Sequence, residues 1–250
     1  VSFKEFMSQV KKDGTLIVHE SIEQLANGAA ANKFTYGTNR GQFFAGSVNA
    51  KGGFFSFNLD GKRKIENITL GVPGFHNMEN AIAASIVALN YGVSESQLRE
   101  ALASFKGVKR RFEFIINKPD LVYIDDYAHH PTEIEAFLKS LTAMYEGKRI
   151  TVVFQPHLFT RTRDFAAGFS KSLSLAHELI MMDIYPAREV PIPGVTSEMI
   201  FKNVTSPVKM ISSKNDLLQK IKELKPQVLA TVGAGDIDTF VKPLKEMLDK

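Results

Sequence analysis

The sequence predicts an α/β protein in two parts, the first carrying a small antiparallel sheet and the second a mainly parallel sheet. Three observations carry this prediction. Short, Gly-punctuated apolar runs at 43–48, 54–59 and 64–70 lie too close together for helices between them. After Lys106-Gly107 the rhythm changes to strand-like runs alternating with helical segments, the pattern of crossover connections in a parallel sheet. Hydrophobic residues make up 44% and charged residues 23% of the 250, a globular balance that supports a core in each part.

Each element has a local reason. Residues 14–20 (GTLIVHE) read as a short buried strand and 21–27 as a small helix. Asp60-Gly61 offers a tight turn between the runs 54–59 and 64–70. Residues 77–91 are Ala-rich, with Met78, Ile82, Ile86 and Leu89 at helical spacing. Ser94 and Gln97 form a capping-box pattern opening a helix that runs to about Phe105. The boundary between the parts falls at about residues 107–112. Beyond it, strands are predicted at 122–125, 149–154, 178–182, 208–211 and 227–232, and helices at 132–145, 164–176, 197–202, 216–224 and 236–249.

Composition excludes several function classes. With no cysteine there is no disulfide scaffold, thiol nucleophile or thiolate zinc site. No run approaches the roughly 20 apolar residues of a spanning helix, and no basic-then-apolar leader opens the sequence. A cytoplasmic location is therefore expected. The net charge of +4 is evenly spread, with 11 Lys/Arg against 9 Asp/Glu in 1–107 and 20 against 18 in 108–250. Without a basic arm, Trp or a recognisable nucleic-acid motif, anionic small ligands fit better than a polynucleotide.

Ligands of open parallel sheets bind beyond the carboxyl ends of the strands. Four such ends carry unusual polar sequence: Asp125-Asp126-Tyr127-Ala128-His129-His130-Pro131, then 155–163 (QPHLFTRTR), 183–189 (DIYPARE) and 233–236 (GAGD). Four of the six histidines, His76, His129, His130 and His157, fall in junction segments. Without an HExxH spacing they read as ligand-orienting or structural groups rather than metal ligands, and no metal site is expected on this chain. His19 and His177 read as strand-end residues. Residues 71–77 (GVPGFHN) precede the Ala-rich helix, where Asn77 and Asn80 share one helix face. Lys109-Arg110-Arg111 at the boundary is either a solvated basic linker or a phosphate clamp, and Arg161 and Arg163 suit carboxylates or phosphates.

Taken in order, 74–81 (GFHNMENA), Arg110-Arg111-Phe112-Glu113 and 125–131 resemble the Mur ligases of peptidoglycan synthesis. The segments FQPH-x-x-TRT, DIYPARE and GAGD are most similar to those members that join L-alanine to UDP-N-acetylmuramate, and the similarity runs over essentially all of the chain. The resemblance implies that 1–107 are the rear part of an ATP-binding central domain of P-loop ATPase type, and 108–250 a Rossmann-like C-terminal domain that binds the amino acid and closes over ATP. It implies ATP-dependent amide formation through an acyl phosphate, with Mg2+ on the phosphates and UDP-N-acetylmuramate and L-alanine as substrates in a bacterial cytoplasm. His76, Asn77 and Asn80 match the segment that holds adenine. Asp125 or Asp126 matches the ribose-binding position. Arg111 matches an arginine that reaches the nucleotide phosphates and, with His129, a catalytic group. Tyr127, His129 and Arg161 match the amino-acid pocket. The family often has arginine directly after the PH pair, where this chain has Leu158, which throws more weight on Arg161.

The sequence contains no GxxxxGK[ST] phosphate loop. On the resemblance, the UDP-binding domain, that loop and the metal-binding segments would lie ahead of Val1. Residues 1–107 would then hold an incomplete parallel sheet with an exposed edge, and the chain would be a truncated fragment, inactive by itself. The competing readings are a non-catalytic nucleotide- or precursor-binding module and the related ligase that recycles murein tripeptide.

Overall fold

Apolar and polar residues alternate along 54–59, so one face of this strand must be covered: Phe55, Phe57 and Leu59 are buried while Phe54, Ser56 and Asn58 are not. In the computed structural model, which describes residues 2–29 and 32–249, this strand lies inside the first of two compact units, Val1–Lys106 and Gly107–Lys250.

The first unit contains α1 (Ser2–Ser8), β1 (Thr15–His19), a 3₁₀ segment (Glu20–Ala26), β2 (Asn32–Gly37), β3 (Phe43–Lys51), β4 (Phe54–Gly61), β5 (Ile65–Thr69), α2 (Phe75–Asn90) and α3 (Glu95–Ser104). The antiparallel strands β3, β4 and β5 do not form a sheet of their own. They continue a five-stranded mixed sheet, ordered β1-β2-β3-β4-β5, in which β1, β2 and β3 are parallel. Among the described residues, β1 ends the parallel side of this sheet with no further strand beside it. Asp60 and Gly61 belong to the end of β4, and the reversal is made by residues 62–64 instead. Ser94 caps α3 in a full capping box with Gln97.

The second unit contains β6 (Glu113–Asn117), β7 (Val122–Asp126), α4 (Pro131–Met144), β8 (Ile150–Phe154), α5 (Phe159–Leu173), β9 (Glu178–Met181), α6 (Glu198–Phe201), β10 (Val208–Ile211), α7 (Leu217–Leu224), β11 (Val228–Val232), a 3₁₀ segment (Asp236–Phe240) and α8 (Val241–Leu248). Its sheet is ordered β10-β9-β8-β11-β7-β6, parallel except for β6. Every residue of β7, β8, β9 and β11 is buried, as expected of central strands covered on both faces. Period-2 alternation divides them. Tyr123, Val153, Ile180 and Leu229 pack with Leu217, Ile221 and Leu244 from α7 and α8. On the other face Phe154 meets Phe169 of α5 and Phe112 meets Phe137 of α4, with ring centroids 5.5 and 5.2 Å apart. No helix of the described residues is long and apolar enough to cross a membrane.

One boundary differs from expectation in a way that matters below. The helix expected from Asp164 starts at Phe159 and is kinked at Phe165, whose φ/ψ of −117°/15° is not helical. The extra turn carries Thr160, Arg161 and Thr162.

Candidate functional site

From β8 the chain moves outward to β9 and β10, then returns to place β11 between β8 and β7. The loops after β8 and β11 therefore meet at the topological switch point of the sheet. Gln155, 1% exposed, bridges them: its Nε2 donates to Asp236 Oδ1 at 2.8 Å and its Oε1 accepts the Ile237 N–H at 3.0 Å. Gly235 is required here, because a Cβ would lie 2.4 Å from Gln155 Oε1 and 2.7 Å from Tyr185 Cβ.

The loops after β8 and β9 are joined by backbone. Tyr185 N–H donates to Pro156 O at 2.8 Å and Leu158 N–H to Tyr185 O at 2.9 Å. This zipper stacks the rings of His157 and Tyr185, 5.8 Å apart with planes 20° from parallel. One turn into α5, Arg161 places an Nη 3.4 Å from His157 Nδ1. Arginine only donates, so Nδ1 is the accepting nitrogen and the ring proton sits on Nε2. Burial first, then the charges of Arg161 and His129, hold the His157 imidazole below its usual value against the pull of Glu189, which favours the neutral ring.

The loop after β7 brings in Tyr127 and His129, whose rings meet edge-on at 5.2 Å, with His129 6.3 Å from His157. His129 Nδ1 lies 2.9 Å from Tyr127 O; a carbonyl only accepts, so Nδ1 is the donor. Glu133 fixes this loop, accepting the backbone N–H of His129 at 3.0 Å and of His130 at 3.2 Å. Burial alone would raise its carboxyl, but those bonds and the charges of His129 and Arg111 keep it below the usual range.

The neighbours Asp125 and Asp126 point to opposite faces of the sheet. Asp125, 1% exposed, accepts from Thr231 Oγ1 at 2.6 Å and Arg110 Nε at 2.9 Å; burial raises its carboxyl despite both partners. Asp126, 3% exposed, accepts the N–H groups of Phe112 and Ala128, each at 2.8 Å. Burial pushes it up to about 6. Asp125 also lines a groove of about 320 Å³ with Lys109, Glu113, Asp238, Lys242 and Lys245 among others.

The two boundary arginines differ. Arg110, whose side chain is 13% exposed, also donates to Gly233 O at 2.6 Å and is locked in place at φ +60°. Arg111 is exposed, its guanidinium 5.8 Å from the Tyr127 ring centroid. In the first unit, His76, Asn77 and Asn80 occupy the opening turns of α2 after Gly74 at φ +118°. Asn77 Nδ2 donates to Pro73 O at 2.8 Å, and Asn80 is exposed.

The fold thus gathers Tyr127, His129 and Arg161 at one sheet end, separates Asp125 from Asp126, and leaves Arg111 exposed while Arg110 is engaged with Asp125 and Gly233. Sequence reading did not single out Tyr185, Glu133 or Glu189, nor assign His157 a place in the cluster. The signal for Tyr185 and His157 was present in the two polar loops that follow adjacent strands.

Comparison with known proteins gives this cluster a context. A family model for the Mur ligase middle domain matches residues 1–88, and one for the Mur ligase, glutamate ligase domain matches 110–235. The UDP-N-acetylmuramate–L-alanine ligases of Parabacteroides distasonis and Cytophaga hutchinsonii are 43% and 41% identical to it, each over 100% of this chain and 54% of the relative. The chain spans about half the length of the curated relatives it matches. The crystal structure of UDP-N-acetylmuramate–alanine ligase from Thermotoga maritima superposes with a TM-score of 0.76 at 28% identity, covering 94% of this chain and 51% of that one. A murein peptide ligase from Psychrobacter arcticus shares the fold, with a TM-score of 0.62 at 22% identity over 98% of this chain and 53% of that one. The chain belongs to the Mur ligase family, with the glutamate ligase domain model covering residues 110–235 and the middle domain model residues 1–88.

Proposed function

We propose that this chain supplies the adenine-holding and amino-acid-binding portions of a ligase that joins L-alanine to UDP-N-acetylmuramate in bacterial peptidoglycan precursor synthesis, a cytoplasmic reaction. The observation that carries the reading is the convergence of Tyr127, His129, His157, Arg161 and Tyr185 at the carboxyl ends of β7, β8 and β9. Such a cluster offers one guanidinium, imidazole nitrogens and aromatic rings, the complement of a small amino acid. The naming of the relatives supports the same reading.

ATP, when bound, supplies the phosphoryl group that converts the muramate carboxylate into an acyl phosphate. The chain's residues then have separate tasks. Arg161 binds the alanine carboxylate, and the neutral His157 beside it avoids a second buried cation. His129, anchored through Nδ1 on Tyr127 O, presents Nε2 as the atom that accepts a proton from the alanine amine as its nitrogen attacks the activated carbonyl and phosphate departs. Arg111, exposed over Tyr127, meets phosphate charge. His76, Asn77 and Asn80 hold the adenine edge, and Asn77 keeps its amide oxygen for that purpose because its Nδ2 is engaged with Pro73. For the ribose the candidates are Asp125, which lines the groove but is held by Thr231 and Arg110, and Asp126, which is held by two backbone N–H groups. Among the described residues no group of three or more His, Asp or Glu is placed to hold a metal ion, and no role here rests on one.

One observation favours the binding-module alternative: the sequence lacks GxxxxGK[ST], so these residues alone provide no cradle for the transferred phosphoryl group. Alanine-dependent phosphate release by the 250-residue chain alone would overturn both readings. The test of the ligase reading is Arg161→Ala in the protein that contains this chain. Loss of a charge-assisted pair worth about 2–3 kcal/mol raises the KM for L-alanine by about 30- to 150-fold and leaves that for ATP within about twofold. Equal effects on both KM values would remove Arg161 from the amino-acid pocket.

A further inference from the structure

The first turn of α5 has no cap of its own. Its N-cap is Leu158, at φ +71°, and the side chain accepts no hydrogen bond. The opening N–H groups of a helix need acceptors from elsewhere. Here the acceptor comes from a different loop, the one after β9. Glu189 Oε2 accepts the Thr160 N–H at 3.0 Å, and its Oε1 accepts the Thr160 hydroxyl at 2.5 Å. A turn delivers this carboxylate, closed by Glu189 N–H on Pro186 O at 2.9 Å with Ala187 at φ +52°. The same loop contributes Tyr185, which stacks on His157 and bonds the backbone of Pro156 and Leu158.

We infer that Glu189 is a positioning residue: it caps α5 from the neighbouring loop and thereby aims Arg161 at the amino-acid pocket beside His157. Arg161 stands in the very turn that Glu189 closes, one residue beyond Thr160. The cap has a second consequence. Glu189 occupies the Thr160 N–H and sets its own negative charge at the start of α5, so an incoming carboxylate is repelled from the helix end and meets the Arg161 guanidinium instead. Hydrogen bonds from the Thr160 side chain and then its backbone hold the Glu189 carboxyl below its usual range, so the cap stays ionised at neutral pH. The pocket assignment rests on the proposed function; the capping does not.

The test uses the 15N-labelled chain with Glu189→Ala and Glu189→Gln. Two quantities are read: hydrogen exchange of the Thr162 amide, which makes the helix's first bond to Leu158 O at 3.1 Å, and the L-alanine-induced shifts of Arg161 and His157. Glu189→Ala speeds Thr162 exchange by about fivefold to tenfold, the typical weight of a lost cap, and weakens the alanine response by a similar factor. Amides of β8 and β9 keep their protection. Glu189→Gln, which still presents an oxygen to the Thr160 N–H, restores most of both. Unchanged Thr162 exchange in Glu189→Ala, or protection lost throughout β8 and β9, would overturn the inference. A wild-type chain that ignores L-alanine would instead count against the pocket assignment, and Thr162 exchange would still decide the cap.

Discussion

Asp125 and Asp126 are adjacent in sequence, and the strand alternation makes them chemically unlike. Asp125 faces α7 and α8 with Arg110 and Thr231 as partners, and Tyr123 extends the chain of bonds through Thr231 at 3.2 Å. Removing Arg110 leaves a buried carboxylate without its counter-charge, so Arg110→Ala destabilises the second unit by about 3–4 kcal/mol in chemical denaturation. Arg111→Ala, at an exposed position, stays within about 0.5 kcal/mol. Asp126 gives a pH signature. Its folded pKa of about 6 lies above the ordinary 3.8, because burial outweighs the Phe112 and Ala128 N–H bonds. Folding therefore favours the protonated form, and the stability this group contributes is complete below pH 3.8 and lost as pH rises through about 6. Carbonyl 13C NMR checks this: the Asp126 carboxyl titrates near 6, and a midpoint near 4 would refute the burial argument. The dyad was legible in the sequence as a polar strand end. Which face each carboxylate takes was not, since that depends on where strand β7 begins its alternation and on Thr231, 106 residues away in the sequence.

The elements that were legible share strong local signals. The Ser94 capping box, the Ala-rich α2 and the buried runs of β7, β8, β9 and β11 each state their structure within a few residues. Those that escaped have weak ones. In α1 Phe3, Phe6 and Met7 stand at helical spacing, but the helix is only seven residues long and buries Met7 alone. Strand β2 (NKFTYG) opens on two polar residues, and β6 follows a basic segment that hides its start. The first turn of α5 escaped because its cap lies 29 residues downstream. Close approach between elements is equally non-local, and Gly235 tests it. Gly235→Ala forces a methyl against Gln155 and Tyr185 and costs about 1–3 kcal/mol, with the Tyr185 ring shifts displaced. An unaltered melting temperature and spectrum would show that the packing between the loops after β8 and β11 is looser than described.

At the scale of the whole molecule, the proposed function assigns each unit its own residues: to the first the helix start bearing His76, Asn77 and Asn80, to the second the aromatic and histidine cluster with Arg161. Family membership was legible from the order of motifs, and the family models bear it out across 1–88 and 110–235. The cluster's inner geometry was not, because it depends on backbone bonds between the loops after β8 and β9. The account stands or falls on that cluster binding an amino acid. The most direct measurement is a heteronuclear NMR titration of the chain with L-alanine, following Tyr127, His129, His157, Arg161 and Tyr185. The account predicts shifts concentrated on these residues, absent in Arg161→Ala and not reproduced by ethylamine, which lacks the carboxylate. Shifts confined to other residues, or an ethylamine response equal to that of alanine, would contradict it.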